Sequence, residues 1–302
     1  MTRDPAAFLA FASQCAPDFG PATAKAAMLV SPDAFARAEE SARDNVYMAD
    51  ADAFDRGAAL AEHRQLHRAL SACLPTICFP SAADTPDALF PNNVFASTPG
   101  QLIVGRMFHP VRQREAERPD IRGFFRDVLG CREIDLSNQP HACELTGALV
   151  VDRARGLGFC GLSDRCDAEG AALMHEAFGL RATFVFDLAP GEYHTNVVLA
   201  VLAGRAALVC PQGFADPAAA EAIAQLYAPY GVMLSAAEQA GFAGNAISLS
   251  SDAVWMSAAA DAALSAGNRR ALADAGLEVR SVPLPAIEAA GGSLRCCVAE
   301  IF

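Results

Sequence analysis

Apolar runs and turn signals along the chain recur in one order: two short strands, a helix and a third strand. The order is plainest over residues 148–187. Ala148–Val151 and Leu157–Leu162 predict a hairpin around a polar turn holding Arg153 and Gly156, then a helix over Asp167–Phe178 and a strand at Ala182–Asp187. It recurs as Asn196–Leu202, Ala206–Cys210, a helix over Asp216–Tyr227 and a strand at Val232–Leu234. A third copy reads Asn245–Leu249, Ala253–Ser257, a helix over Ala259–Ala275 and a strand at Glu278–Leu284. The hairpins start at 148, 196 and 245, a period of 48 to 49 residues, which is the scale of repeat or propeller architectures. A fourth unit fits upstream: Asn93–Ala96, Gln101–Met107, a helix over Pro119–Leu129 and a strand at Arg132–Asp135. A fifth must be split between Leu294–Ile301 and Ala26–Val30, with a helix over Arg56–Ala72 and a strand at Thr76–Phe79. Pairing the chain ends in this way hides strand edges. The expected architecture is therefore α/β: a five-bladed ββαβ propeller in a single domain over 1–302, residues 1–20 forming a short helix and loop extension. The alternative is an α+β sandwich whose spacing is coincidental.

Composition narrows the function. Hydrophobic residues make up 53% and charged residues 19%, which suits a packed core and excludes a disordered chain. A net charge of −12 argues against nucleic acid as partner. The only lysine, Lys25, sits in Thr-Ala-Lys-Ala, which removes a phosphate-binding P-loop and offers no context for a pyridoxal Schiff base. The apolar run Val197–Gly204 is too short to span a bilayer, and the start of the chain lacks the pattern of a signal peptide. Ten cysteines without a Cys-x-x-Cys pattern suggest free thiols and a cytoplasmic location.

Four stretches carry candidate chemistry. Gly291-Gly292-Ser293-Leu294-Arg295-Cys296-Cys297 leads paired glycines into an expected strand, where a thiol can face a cleft and alternation sends Cys296 and Cys297 to opposite sides. Tyr193-His194-Thr195-Asn196, Cys143-Glu144-Leu145-Thr146-Gly147 and Phe90-Pro91-Asn92-Asn93 each precede a hairpin. Equivalent ends of repeated units converge, so Asn93, Glu144, His194 and a terminal cysteine are expected to meet. The bland readings are two core thiols and a loop histidine. His63 and His67 beside Glu62 lack a third metal ligand, and Cys73/Cys78 and Cys160/Cys166 lack zinc-site spacing. Trp255 is expected in the core, and the acidic run Asp50–Asp55 on the surface.

These motifs, with Gly161-Leu162-Ser163-Asp164-Arg165, occur in an order that resembles the guanidine-modifying, or pentein, superfamily over roughly residues 24–302. Within it the chain is most similar to arginine deiminase-related, amidinotransferase-like proteins, among them a citrulline-using hydrolase. The resemblance implies the five-bladed fold, no cofactor and no metal. It makes Cys296 the nucleophile, His194 the general acid/base and Glu144 its carboxylate neighbour. Asn93, Asn196, Arg165, Asn92 and Phe90 become candidate substrate-binding residues. Arginine deiminases carry aspartates where this chain has Asn93 and Asn196. Asparagine can donate and accept, which suits a neutral ureido group. The expected reaction is therefore hydrolysis of citrulline to ornithine, ammonia and carbon dioxide by a cysteine hydrolase of non-peptide carbon–nitrogen bonds. The alternatives are arginine deiminase or dimethylarginine hydrolase activity, or a non-catalytic binding protein on the same fold. The partner is a small amino-acid substrate, with a homodimer conceivable. A papain-like protease would place its cysteine early and histidine late, the reverse of the order here.

Overall fold

The computed structural model describes residues 1–48 and 54–302, and in these the strands fall into five small sheets. Four share one pattern. In the plainest, Leu157–Leu162 pairs antiparallel with Leu149–Asp152 on one side and parallel with Ala182–Asp187 on the other. The same arrangement joins Phe95–Thr98, Gln101–Val104 and Arg132–Asp135, and again Leu199–Leu202, Ala206–Val209 and Gly231–Met233. In the split unit Ala26–Val30 pairs antiparallel with Ala299–Ile301 and parallel with Thr76–Phe79, so the two ends of the described chain share a sheet. Each parallel pair requires a crossover, and a helix supplies it: Ala168–Ala177, Pro217–Leu226 and Arg56–Ser71 are among these. Aspartates at 55, 167 and 216 cap them by accepting from backbone N–H groups of the first turn.

Three expectations need correction. The first strand of each unit starts later than its apolar pattern suggests, because a single helical turn precedes it: Pro91–Asn93, Leu145–Ala148, Thr195–Val198 and Leu294–Cys297. These turns satisfy their own backbone, as where Gly147 N donates to Glu144 O and Cys296 N to Ser293 O, both at 3.0 Å. Cys296 and Cys297 are thus consecutive residues of a tight helical turn, and strand alternation does not govern them. Second, Asn245–Leu249 forms no strand. Its sheet has two strands, Ala253–Ser257 and Glu278–Val282, and Ile247 alone bridges to Trp255 before residues 249–252 bend away. Third, the helix expected over Ala259–Ala275 breaks at Leu264–Ser265 into Ala258–Ala263 and Ala266–Asp274. Ser265 restarts it by accepting from Asn268 N.

The N-terminal helix Pro5–Ala12 docks Phe8 against Phe159 and Phe184. Trp255 is buried as expected. Of the acidic run, Asp50 and Asp52 lie outside the described residues, and Asp55 is a helix cap. Among the described residues no helix is long and apolar enough to cross a membrane.

Candidate active site

The single turns carry the chemistry. The residue three positions before the strand is Asn92, Thr146, Asn196 and Cys296 in the four complete units, and Asn245 stands nearby in the unit without a first strand. Their side chains interlock. Asn92 Nδ2 donates to Thr146 Oγ1 at 3.4 Å, and Asn245 Nδ2 donates to Asn196 O at 2.9 Å. The Cys296 thiol accepts from Asn245 Nδ2 at 3.2 Å and from Asn196 Nδ2 at 3.6 Å. Asn245 Oδ1 also accepts from Arg295 N at 3.0 Å, fixing the turn that bears the nucleophile candidate. Burial pushes the Cys296 thiol above its usual range, and the Asn245 donor offsets part of this.

His194 and Glu144 form a buried pair, with His194 Nε2 2.7 Å from Glu144 Oε2. Glu144 Oε1 accepts from Phe108 N at 3.0 Å, and Arg165 Nη1 reaches Oε2 at 3.4 Å. Burial would raise the Glu144 pKa, but Arg165, His194 and Arg112 outweigh it and hold the carboxylate well below its ordinary range. Burial lowers His194 in spite of Glu144, keeping the imidazole neutral near pH 7. Among the described residues His194 Nδ1 has no hydrogen-bond partner, nor has Asn93 Oδ1. Both crowd Gly147, where a Cβ would come within 2.9 Å of Nδ1 and 2.4 Å of Oδ1, so only glycine fits.

A small pocket of about 20 Å³ lies over Cys296, lined among others by Asn93, Phe90, Asp87, Arg112, Arg165 and Tyr193. Gly292 admits the Phe90 ring, which a Cβ there would meet at 2.9 Å. The structure therefore brings Cys296, Asn93, Phe90 and Arg165 to one cavity, with His194 and Glu144 beside Asn93 and Gly147. Asn196 stands behind the thiol, and Asn92 turns to Thr146. Among the described residues no hydrogen bond joins His194 to Cys296 directly. Arg165 is committed to its own chain: Nε and Nη2 hold the Asp44 carboxylate at 2.6 and 2.8 Å.

Sequence reasoning missed four participants. Asp87 is buried, with Oδ2 bonded to Ser41 Oγ at 2.6 Å and Oδ1 without a hydrogen-bond partner among the described residues. Burial raises its pKa, and Arg112 offsets part of the shift. Arg112 holds Glu115 through Nε and Nη2, both at 2.9 Å, and donates from Nη2 to Phe90 O at 3.1 Å. Asn245 was findable, since it lies 49 residues after Asn196 and 51 before Cys296, one repeat either way. Asp44 and Asp87 lie in loops outside the repeat and gave no such signal.

For metals, one surface trio among the described residues, His141, Asp167 and Glu169, brings ligand atoms within 4.8 Å. Asp167 is occupied there as a helix cap. Glu62 accepts from Ala286 N and Ile287 N, and burial lowers the neighbouring His63 to about 4.

No curated protein matches the chain. Among solved structures it resembles the N-terminal domain of ArgZ, an arginine dihydrolase from the ornithine–ammonia cycle in cyanobacteria, captured as a cysteine-to-serine variant with substrate. The TM-score is 0.78 at 21% identity over 91% of this chain and 97% of that one. Unliganded AgrE superposes with a TM-score of 0.78 at 20% identity, over 91% of this chain and 39% of that one. A dimethylarginine dimethylaminohydrolase histidine-to-glycine variant, as an adduct with S-methyl-L-thiocitrulline, gives 0.70 at 20% identity over 92% and 99%. These likenesses show a pentein-like α/β fold. Residues 31–302 match the family model for eukaryotic N,N-dimethylarginine dimethylhydrolase, and the chain accordingly belongs to that family, within the pentein hydrolases of non-peptide carbon–nitrogen bonds.

Proposed function

We propose that the chain is a single catalytic domain whose five sheets are the blades of a propeller, hydrolysing the ureido or guanidino carbon of an arginine-related amino acid. Citrulline is the substrate the site favours. The observation that carries this reading is the cavity itself: a thiol, a neutral carboxamide at Asn93 with a free oxygen, and a carboxylate at Asp87 with a free oxygen. Asn93 suits the NH₂ end of a ureido group, and Asp87 suits the substrate's ammonium. In the reaction Cys296 adds to the ureido carbon and ammonia leaves, its proton supplied through His194. A thiocarbamate remains. Water activated by His194 then cleaves the carbon–sulfur bond, and the resulting carbamate loses carbon dioxide to give ornithine. Glu144 orients the imidazole and stabilises its protonated form.

A second reading is favoured by the likeness to an arginine dihydrolase. Arginine would first lose one ammonia on forming the thiol adduct, water would release that adduct as citrulline, and citrulline would then follow the steps above, the same thiol acting twice. Release of ammonia or dimethylamine, together with the ureido or amine product, from citrulline, arginine, dimethylarginine, agmatine and N-succinylarginine separates these. One ammonia per ornithine from citrulline alone supports the first reading, and two per ornithine from arginine supports the second. Inertness toward all five substrates would leave the non-catalytic reading standing.

A further inference from the structure

The turn carrying Arg153 is unused by this chemistry. It joins Leu149–Asp152 to Leu157–Leu162 at the end of the hairpin away from the Leu145–Ala148 turn. Arg153 is only 8% exposed and makes no ion pair among the described residues. Its Nη1 donates to Ser97 O at 3.0 Å, and the guanidinium lies 4.2 Å from the Phe302 ring centroid and 5.1 Å from that of Phe178. The rings and the nearby Glu300 carboxylate recover part of the lost hydration, but a buried cation without an ion pair of its own remains costly. Burial pulls the group down to about 10.

Arg153 lines a narrow cavity of about 30 Å³ together with Ser248, Arg295 and Glu300. Arg295 Nη2 is paired with Glu300 Oε2 at 2.9 Å, so those two charges cancel and the cavity keeps the single positive charge of Arg153. Ser248 Oγ is buried there with no hydrogen-bond partner among the described residues. A charge and a hydroxyl are thus both unspent in a space that admits only a few atoms.

We propose that this cavity binds a small monovalent oxyanion of the carboxylate type, held by the Arg153 guanidinium and the Ser248 hydroxyl. A guanidinium fork matches two carboxylate oxygens better than a sphere, the hydroxyl donates to oxygen, and the volume excludes larger acids. Formate and bicarbonate have the required size and charge.

Thermal unfolding of the full chain tests the site. In gluconate, an anion too large to enter, the buffer anion is exchanged at constant ionic strength for formate, bicarbonate or chloride. Formate and bicarbonate should raise Tm saturably, by about 5 °C at a hundredfold excess over Kd, and chloride by less than half as much. Arg153→Gln should abolish the response, and Ser248→Ala should weaken the apparent affinity about tenfold. No saturable rise, an equal response in Arg153→Gln, or chloride matching formate would overturn the proposal. If Arg153→Gln does not fold, an unchanged midpoint in Ser248→Ala overturns it.

Discussion

Two adjacent thiols with different surroundings separate chemistry from packing. Cys296 faces the cavity and two carboxamide donors, whereas burial holds the Cys297 thiol well above its usual range among apolar neighbours. Cys296→Ser is expected to lower kcat at least a thousandfold with Tm nearly unchanged, and Cys297→Ser to keep most activity. A steady-state assay on both variants checks this, and inactivity of Cys297→Ser alone would move the nucleophile by one residue. Asp87 allows a test of binding against stability. Burial raises its folded pKa, so its ionisation destabilises the fold as pH climbs from the unfolded value near about 3.9 through the folded one. Asp87→Asn removes that penalty, so relative to the parent it should gain stability above the window and little below it. Its KM should meanwhile rise about tenfold or more, from loss of a charge-assisted bond. Unfolding midpoints and KM across pH read both effects, and a KM unchanged by the substitution would remove Asp87 from the binding site. The positions of Cys296, His194 and Glu144 were legible because each stands just before the first strand of a unit. Asp87 was not, since nothing local tells a buried loop carboxylate from a solvated one.

Most helices and closing strands could be read from periodicity and caps, Ala26–Val30, Thr76–Phe79 and Ala182–Asp187 to the residue. The approach to each hairpin could not. Leu145–Ala148 and Thr195–Val198 continue directly into apolar strands, and a four-residue helical turn has too few positions for its period to differ from an extended run. The missing Asn245–Leu249 strand has another cause. Backbone packing there is tight, a Cβ on Gly244 meeting Val197 O at 2.4 Å, and Asn245 spends its side chain on Asn196, Arg295 and Cys296. At the same scale, Glu62 on Arg56–Ser71 accepts from Ala286 N and Ile287 N at 3.0 Å, anchoring the Pro285–Glu288 turn just before Gly291 and Gly292. Glu62→Ala strands those N–H groups and should cost about 1.5–3 kcal/mol, with Glu62→Gln restoring part of it. Equilibrium denaturation of the pair checks this, and equal stability of the two would show that the carboxylate does not anchor the turn.

In the whole molecule, the cavity over Cys296 holds about 20 Å³, far less than an amino acid of arginine's length, so turnover requires the wall to move. The wall includes Ser41, Asn45 and Met48, and its strongest tie is Asp44. Asp44 takes two bonds from Arg165, and His109 Nε2 lies 2.9 Å from its Oδ1. Burial would raise the Asp44 pKa, but Arg165 and His109 prevail and lower it. The tie is therefore complete above the unfolded carboxylate range and weakens as pH falls through the lower folded value. Weaker ties hold the same segment: Tyr47 OH donates to Glu192 at 2.7 Å and Asn45 Nδ2 to Gly291 O at 3.3 Å. Removing Asp44 should favour opening without disturbing the thiol's own donors. In Asp44→Asn, alkylation of Cys296 by iodoacetamide, followed by peptide mass spectrometry at pH 8, should quicken about tenfold, while Cys297 stays protected. Acidifying the parent to pH 4 should leave the same tie in place, and only below the ordinary carboxylate range should a pulse of a thiol reagent that reacts at low pH register faster labelling at Cys296. Equal labelling rates in parent and variant at pH 8 would show that Asp44 does not hold the site shut, and substrate would then have to enter past another part of the wall.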